Sequence, residues 1–164
     1  MPIIEAALVI HAPREVVYSI SQDYSVRAEW DPFTDRLEMA DGSIYFVKPG
    51  ARVVVRAKFG ASMTVEFVHV DSPERVAVKM VDGPWYLRKF AGTWIFEKID
   101  ERATLARFRY LVAARRGAFR KAMDVIAAWY FHRVVLQRLA GLKTYCERMA
   151  RLRAMPAPLR NFTL

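Results

Sequence analysis

The sequence predicts a single α+β domain in which a curved antiparallel sheet of six to seven strands wraps around one long C-terminal helix. Several segments between residues 35 and 113 alternate apolar with charged side chains, as strands with one buried face do. Turn residues separate these segments. The stretch from about residue 118 to 150 has the apolar spacing of a helix. We expect the domain to span residues 1–152, with a basic C-terminal tail over 153–164.

The composition is that of a globular protein. The chain has 164 residues, of which 54% are hydrophobic and 26% charged, so it is too apolar for a disordered chain. Its most apolar stretch, 122–136, is interrupted by Asp124, His132 and Arg133 and falls short of the roughly 20 apolar residues that a membrane span needs. Residues 1–12 lack the pattern of a secretory signal. We therefore predict a cytoplasmic location.

The positive charge is concentrated near the C-terminus. The first 113 residues carry 15 basic and 15 acidic side chains, whereas the remainder carry 11 basic ones against only Asp124 and Glu147. The whole net charge of +9 therefore lies in the last third of the sequence. Such a surface predicts either an ordinary solvated helix face or contact with an anionic membrane surface or an acidic partner.

The first elements predicted are a strand and two short helices. Residues 3–11 are rich in apolar side chains and read as the strand. A helix over 13–22 follows, because its initial proline has a φ suited to a first helical turn and Glu15 is favourable there. A second short helix over 24–30 is expected to end before Pro32.

A meander of five or six strands follows, each with one apolar and one charged face. In the segment 52–59, for example, every second residue is apolar and the positions between include Arg52, Arg56 and Lys58. The apolar faces of the segments comprise Val53, Val55, Ala57 and Phe59; Met63, Val65 and Phe67; Val76, Val78 and Met80; Trp94 and Phe96; and Ala106, Phe108 and Tyr110. These apolar faces must be buried against another element of the fold.

The long helix is the remaining element able to cover the sheet. One stripe of its surface carries Phe119, Met123, Ile126, Tyr130 and Val134, and we expect this stripe to face the sheet. Apolar residues extend around the helix beyond the stripe. A helix that is apolar on several sides must be buried on several sides, so we expect the two short helices to cover part of this surface and another subunit, in a homodimer, to cover the rest.

Three short motifs resemble those of the START-like (SRPBCC) superfamily. The segment 10–18, reading IHAPREVVY, is similar to its first strand and helix; 30–32, reading WDP, looks like its Trp-x-Pro; and 92–97, reading GTWIFE, looks like its sixth strand. The order of elements over residues 3–149 resembles the helix-grip fold of lipid-transfer START domains, birch-pollen-allergen proteins and polyketide cyclase/dehydrase-like proteins. The resemblance implies an internal cavity between the sheet and the long helix.

This cavity leads to the predicted function, the binding of a hydrophobic small molecule for carriage or sequestration. The resemblance leaves the ligand open as a lipid, a quinone or a polyketide-like aromatic. A polyketide cyclase or dehydratase acting in the same cavity is the first alternative, and a regulatory protein using the basic last third is the second. No cofactor or metal is predicted, because the three histidines lack ligand spacing with carboxylates or with Cys146, the single cysteine.

The predicted ligand-binding residues are mostly aromatic, and two of them carry hydroxyl groups. Buried tyrosine hydroxyls need partners, so Tyr110 and Tyr130 are expected to orient a ligand carbonyl or phenol. The predicted lining consists of Trp30, Val55, Phe67, Trp94, Phe96, Phe108, Tyr110, Met123, Ile126 and Tyr130.

Candidate catalytic residues, should the cyclase alternative hold, are Tyr110, Tyr130 and His69. His69 follows Phe67 by two residues and projects to the same apolar side if the strand is regular. At the border of the helix stripe, Arg133 and Gln137 are candidates for contacting a ligand carboxylate from the cavity mouth.

Overall fold

The structure, a computed structural model, describes residues 3–40, 47–58, 60–114 and 120–154, with all side chains in these ranges except those of residues 114, 120–128 and 154. The predicted fold class is confirmed, since a curled antiparallel sheet surrounds a long C-terminal helix. In the described ranges the elements are β1 (Ile3–Ile10), α1 (Arg14–Gln22), α2 (Arg27–Trp30), β2 (Thr34–Met39), β3 (Arg52–Ala57), β4 (Ser62–Asp71), β5 (Arg75–Asp82), β6 (Leu87–Asp100), β7 (Ala103–Ala114) and α3 (Arg120–Ala154).

The predicted helices lie where the sequence placed them, with small shifts at their ends. Helix α2 begins at Arg27, three residues later than predicted. The reason is a turn in which the carboxylate of Asp23 accepts hydrogen bonds from the backbone N–H and the hydroxyl of Ser25. Helix α3 continues to Ala154, and the predicted tail beyond it lies outside the described residues.

The seven strands form one antiparallel sheet in the order β1-β7-β6-β5-β4-β3-β2. The period-two pattern is visible in β3, β4 and β5, where Val53, Val65 and Val76 are buried. On the opposite face, Glu66 forms ion pairs with Arg52 at 2.9 Å and Lys79 at 3.1 Å across the neighbouring strands. The sheet therefore presents an apolar concave face to the interior and a charged convex face to solvent.

Helix α3 covers one part of this concave face. It packs against β1 and β7 and against both short helices, and its buried side chains include Val134, Val135, Leu139 and Leu142. The strands β2 to β5 contribute a separate apolar cluster around Phe67. Space is left between this cluster and the helix, and the cavity described below lies there.

Candidate ligand-binding cavity

A cavity of about 420 Å³ lies between the concave face of the sheet and α3. This volume falls within the roughly 300–1,000 Å³ typical of small-molecule sites. Most of its lining is aliphatic or aromatic, and strands β3 to β7 all contribute side chains. Gly92, in the middle of β6, also belongs to the lining and leaves room beside Phe108 and Tyr110.

Five of the predicted residues line the cavity: Val55, Trp94, Phe108, Tyr110 and Tyr130. The side chains of Met123 and Ile126 lie outside the described residues, as does Phe119.

Three other predicted residues, Trp30, Phe67 and Phe96, are buried in the core and are not part of the lining. The reason is that the short helices and the turn between them cover the sheet at this end. Tyr18 of α1 packs edge-on against Phe96, with ring centroids 5.9 Å apart. Tyr24, in the turn before α2, lies 6.1 Å from Phe67 and itself faces the cavity.

The predicted direction of the His69 side chain is wrong. The pairing of β4 with β5 shifts register between Phe67 and His69, which marks a β-bulge or irregularity. Such a shift interrupts the alternation of faces, and both Val68 and His69 are exposed. His69 therefore does not contribute to the cavity.

At its closed end the cavity meets a cluster of buried charges centred on Asp31. The Asp31 side chain has no exposed surface. Its carboxylate lies 3.0 Å from Nε of Arg27 and 2.9 Å from Nε of Arg138. It also accepts hydrogen bonds from the hydroxyl of Thr34 at 2.9 Å and from the backbone N–H of Phe33 at 3.1 Å. One carboxylate thus holds two guanidinium groups.

Both guanidinium groups lie against aromatic rings. The Arg27 group lies 4.4 Å from the ring centroid of Trp30 and donates to the carbonyl of Ser21 at 2.8 Å. The Arg138 group lies 5.6 Å from the ring of Phe108, and its terminal nitrogen donates to the hydroxyl of Tyr110. Guanidinium is weakly hydrated and stacks well on rings, which makes arginine suited to such a buried position.

The local electrostatics keep this cluster charged. Burial favours the neutral form of Asp31, but the positive charges of Arg138 and Arg27 outweigh it and hold the pKa of this carboxyl well below its usual range. Burial likewise opposes the charge on Arg138, yet Asp31 raises the pKa of that guanidinium. Two cations and one anion are therefore present at neutral pH.

The neighbouring tyrosines stay neutral. Burial raises the pKa of Tyr110 in spite of the nearby Arg138 charge, and it raises the pKa of Tyr24 to about 12 in spite of Arg27. Both phenols face the cavity. They are hydrogen-bonding groups there, because removing their protons would require strongly alkaline conditions.

A close approach of two helices positions the charged cluster. A Cβ atom at Gly141 of α3 would lie only 2.0 Å from the carbonyl oxygen of Trp30, at the end of α2. Only a glycine allows this distance. Asp31 follows directly after α2, and Arg138 lies about one turn before Gly141 on α3, so the glycine brings the two charges together.

Sequence reasoning missed Arg27, Asp31 and Arg138. It named Arg133 and Gln137 instead, and both are exposed. A signal was available: one more turn of the predicted stripe beyond Val134 reaches Arg138, and the spacing of Arg27 and Asp31 suits an ion pair along a helix.

The mouth of the cavity is lined by exposed aromatic residues. Tyr86, from the β5–β6 connection, and Tyr130, from α3, both line the cavity and remain 47% and 39% exposed. Beside them, Trp85 is 80% exposed and packs edge-on against Tyr86. Partly exposed aromatic rings thus lie at the entrance.

Other chemistry-bearing groups are few in the part of the chain that the structure describes. Cys146 is buried, which raises the pKa of its thiol to about 12. Within the described residues, no group of three or more histidine, cysteine, aspartate or glutamate side chains is arranged to hold a metal ion. The described helices also include none with the length and apolarity of a membrane span.

The fold and the cavity define a helix-grip protein with an internal apolar site. Residues 1–147 match the family of polyketide cyclase/dehydrase and lipid transport proteins, and the chain belongs to this family. The predicted superfamily is thereby confirmed, and an apolar cavity in this family fits the binding of a hydrophobic ligand. Among curated proteins, none matched the chain.

Solved structures with similar folds come from several bacteria. The protein TTHA0849 from Thermus thermophilus is 18% identical, with a TM-score of 0.75 over 91% of this chain and 99% of that one. The Zhui aromatase/cyclase from Streptomyces sp. R1128 is 15% identical, with a TM-score of 0.77 over 94% and 99%. A START superfamily protein from Mycobacterium smegmatis is 14% identical, with a TM-score of 0.68 over 90% and 98%. At these identities the likeness concerns the fold alone.

Proposed function

We propose that this protein binds a hydrophobic small molecule in its cavity and carries or sequesters it. The observation that supports this is the apolar cavity of about 420 Å³ between the sheet and α3. Atoms that line an empty space lack dispersion partners on one side. A ligand of matching shape restores these contacts and removes its own apolar surface from water, at about 25 cal/mol per Å².

The cyclase or dehydratase alternative would need a group that accepts a proton. Burial raises the pKa of Tyr130 as it does that of Tyr110, so both phenols are hydrogen-bond donors rather than bases at neutral pH. His69 lies outside the cavity. Tyr110 remains the candidate for orienting a reacting carbonyl, but the described lining favours carriage.

The test is to fill the cavity from the sheet. A Cβ at Gly92 meets Phe108 and Tyr110 at an ordinary 3.4 Å, so Gly92→Leu adds its remaining carbons to the cavity without a backbone clash. We expect wild-type protein to take up the neutral fluorescent probe N-phenyl-1-naphthylamine, and G92L to bind it about tenfold more weakly. Native mass spectrometry of gently purified protein should show a bound ligand.

Ala91→Leu is the matched control. It adds the same three carbons beyond Cβ at the neighbouring position of β6, where the alternation of the strand directs the side chain to the convex face. A91L should bind the probe as the wild type does. A wild-type protein without bound ligand that also takes up no probe would contradict the proposed function, as would full probe binding by G92L.

The predicted partners and location remain proposals. Trp129 and Leu136 are exposed apolar residues on α3, and they support a contact with a second copy or another surface. Contact of the basic last third with an anionic membrane surface or an acidic partner, a cytoplasmic location, and a domain boundary at residue 152 stay predictions from the sequence.

A further inference from the structure

The closed end of the cavity presents positive charge to a ligand. Among the described side chains that line the cavity, the charged ones are those of Arg27 and Arg138. The carboxylate that pairs with both belongs to Asp31, which is fully buried behind them and is not part of the lining. A ligand entering the cavity therefore meets the two guanidinium groups and not the carboxylate.

The cluster of Arg27, Arg138 and Asp31 contains two cations and one anion. Two guanidinium groups share a single carboxylate, and the other polar side chains of the lining near them, Gln22, Tyr24, Thr34 and Tyr110, are neutral. A buried charge without a counter-charge is costly. One additional negative charge from a ligand would balance the cluster.

Hydrogen-bonding capacity is also left over at this point. Nε of Arg138 faces the Asp31 carboxylate at 2.9 Å, and one terminal nitrogen donates to Tyr110. A guanidinium carries five N–H groups, so it has further donors beyond these two described contacts. The Tyr110 hydroxyl accepts from Arg138, so its own proton is available for another acceptor. A cation and a neutral O–H donor thus lie side by side at the cavity wall.

We infer that the ligand is a monocarboxylic acid whose carboxylate binds Arg138, Arg27 and the Tyr110 hydroxyl, with its apolar part directed towards the mouth. This inference rests on the proposed binding of a hydrophobic molecule and specifies its class. A guanidinium matches the two oxygens of a carboxylate in one plane. A phosphate monoester, with a charge of about −1.5 to −2, would exceed the single excess positive charge.

The test compares ligands that share one apolar chain and differ in the head group. Dodecanoate, dodecanol and dodecyl phosphate each displace N-phenyl-1-naphthylamine from the wild-type protein at pH 8, where the acid is ionised. We expect dodecanoate to bind about tenfold or more tightly than dodecanol, since a charge-assisted hydrogen bond is worth roughly 1.5–3 kcal/mol, and tenfold corresponds to about 1.4 kcal/mol. Dodecyl phosphate should bind more weakly than dodecanoate.

Variants test whether Arg138 causes the preference for dodecanoate over dodecanol. Arg138→Met leaves Arg27 and Asp31 as a balanced pair, so the ratio between dodecanoate and dodecanol should fall to about one. Arg133→Met is the matched control, because Arg133 is an exposed arginine on the same helix whose guanidinium lies over Trp129. R133M should keep the wild-type ratio, and circular dichroism checks that each variant folds.

The outcomes separate the two proposals. A wild-type protein that binds dodecanol as tightly as dodecanoate, or prefers dodecyl phosphate, overturns the carboxylate assignment while hydrophobic binding stands. The same assignment fails if folded R138M keeps the full preference for the acid. Failure of the probe and of every ligand to bind would instead overturn the proposed function itself. If R138M does not fold, the ratio of dodecanoate to dodecanol affinity in the wild-type protein still tests the carboxylate assignment.

Discussion

The two ends of the cavity differ in their side chains, which are charged at the closed end and aromatic at the mouth. At the closed end, the side chain of Asp31 is fully buried and that of Arg138 is 12% exposed, and their polar groups interact with several partners at once. At the mouth, Tyr86 and Tyr130 remain partly exposed, and each packs edge-on against the aromatic ring of its neighbour in sequence. Substitutions at the closed end should therefore change both stability and ligand choice, whereas substitutions at the mouth should change the stability little.

Position in the fold explains this difference. At the closed end, α3 contacts the short helices and the strands β1 and β7, so that a side chain there is enclosed by several elements. The mouth lies between α3 and the β5–β6 connection, where the lining residues Tyr130 and Tyr86 are partly exposed. Both guanidinium groups at the closed end depend on the single carboxylate of Asp31 for a counter-charge, so the loss of that carboxylate leaves two cations unpaired.

The largest expected effect is that of Asp31→Asn. This variant keeps the shape of the side chain but leaves two largely buried guanidinium groups without a carboxylate. We expect the free energy of unfolding to fall by about 3–5 kcal/mol, measured by urea denaturation at neutral pH. Glu38→Gln is the control: it removes an exposed ion pair with Arg36 and should cause no measurable change. A loss of stability no greater in D31N than in E38Q would show that solvent reaches the guanidinium groups.

The second largest effect is expected for Gly141→Ala, and its direction is opposite to the one that helix propensity predicts. Replacing a glycine by alanine inside a helix normally stabilises it by about 1 kcal/mol. Gly141→Ala should instead destabilise the protein by about 1–3 kcal/mol, because the new Cβ would lie 2.0 Å from the carbonyl oxygen of Trp30 and α3 must move away. Urea denaturation measures the change. A stabilised G141A would mean that α3 and α2 do not approach each other as closely as described.

Much of the fold could be predicted because its signals are local. The alternation of apolar and charged residues indicates directly which face of a strand is buried, and Val53, Val65 and Val76 follow it. The register shift before His69 was not predictable in this way, because an extra residue in a strand leaves the local composition unchanged. The one-residue shift reverses the predicted direction of that side chain.

The charged cluster was missed for a different reason. Arg27 and Asp31 look like an ordinary surface ion pair in the sequence, and Arg138 lies more than 100 residues further along the chain. Their meeting depends on the close packing of α2 against α3 at Gly141, which is a tertiary contact. A period or a motif describes a single element, so it does not report which side chains two distant elements bring together.

The smallest expected effect belongs to the mouth. Trp85 is 80% exposed and does not line the cavity, although it packs against Tyr86, which does. Trp85→Ser should therefore change the free energy of unfolding by no more than about 0.5 kcal/mol, because few of its contacts are lost. Dodecanoate should bind to W85S within about twofold of the wild-type affinity, since no group at the closed end is altered. Urea denaturation and probe displacement measure both quantities. A clear loss of stability or affinity would mean that the aromatic residues at the mouth help to hold the closed end together, which would remove the distinction between the two ends.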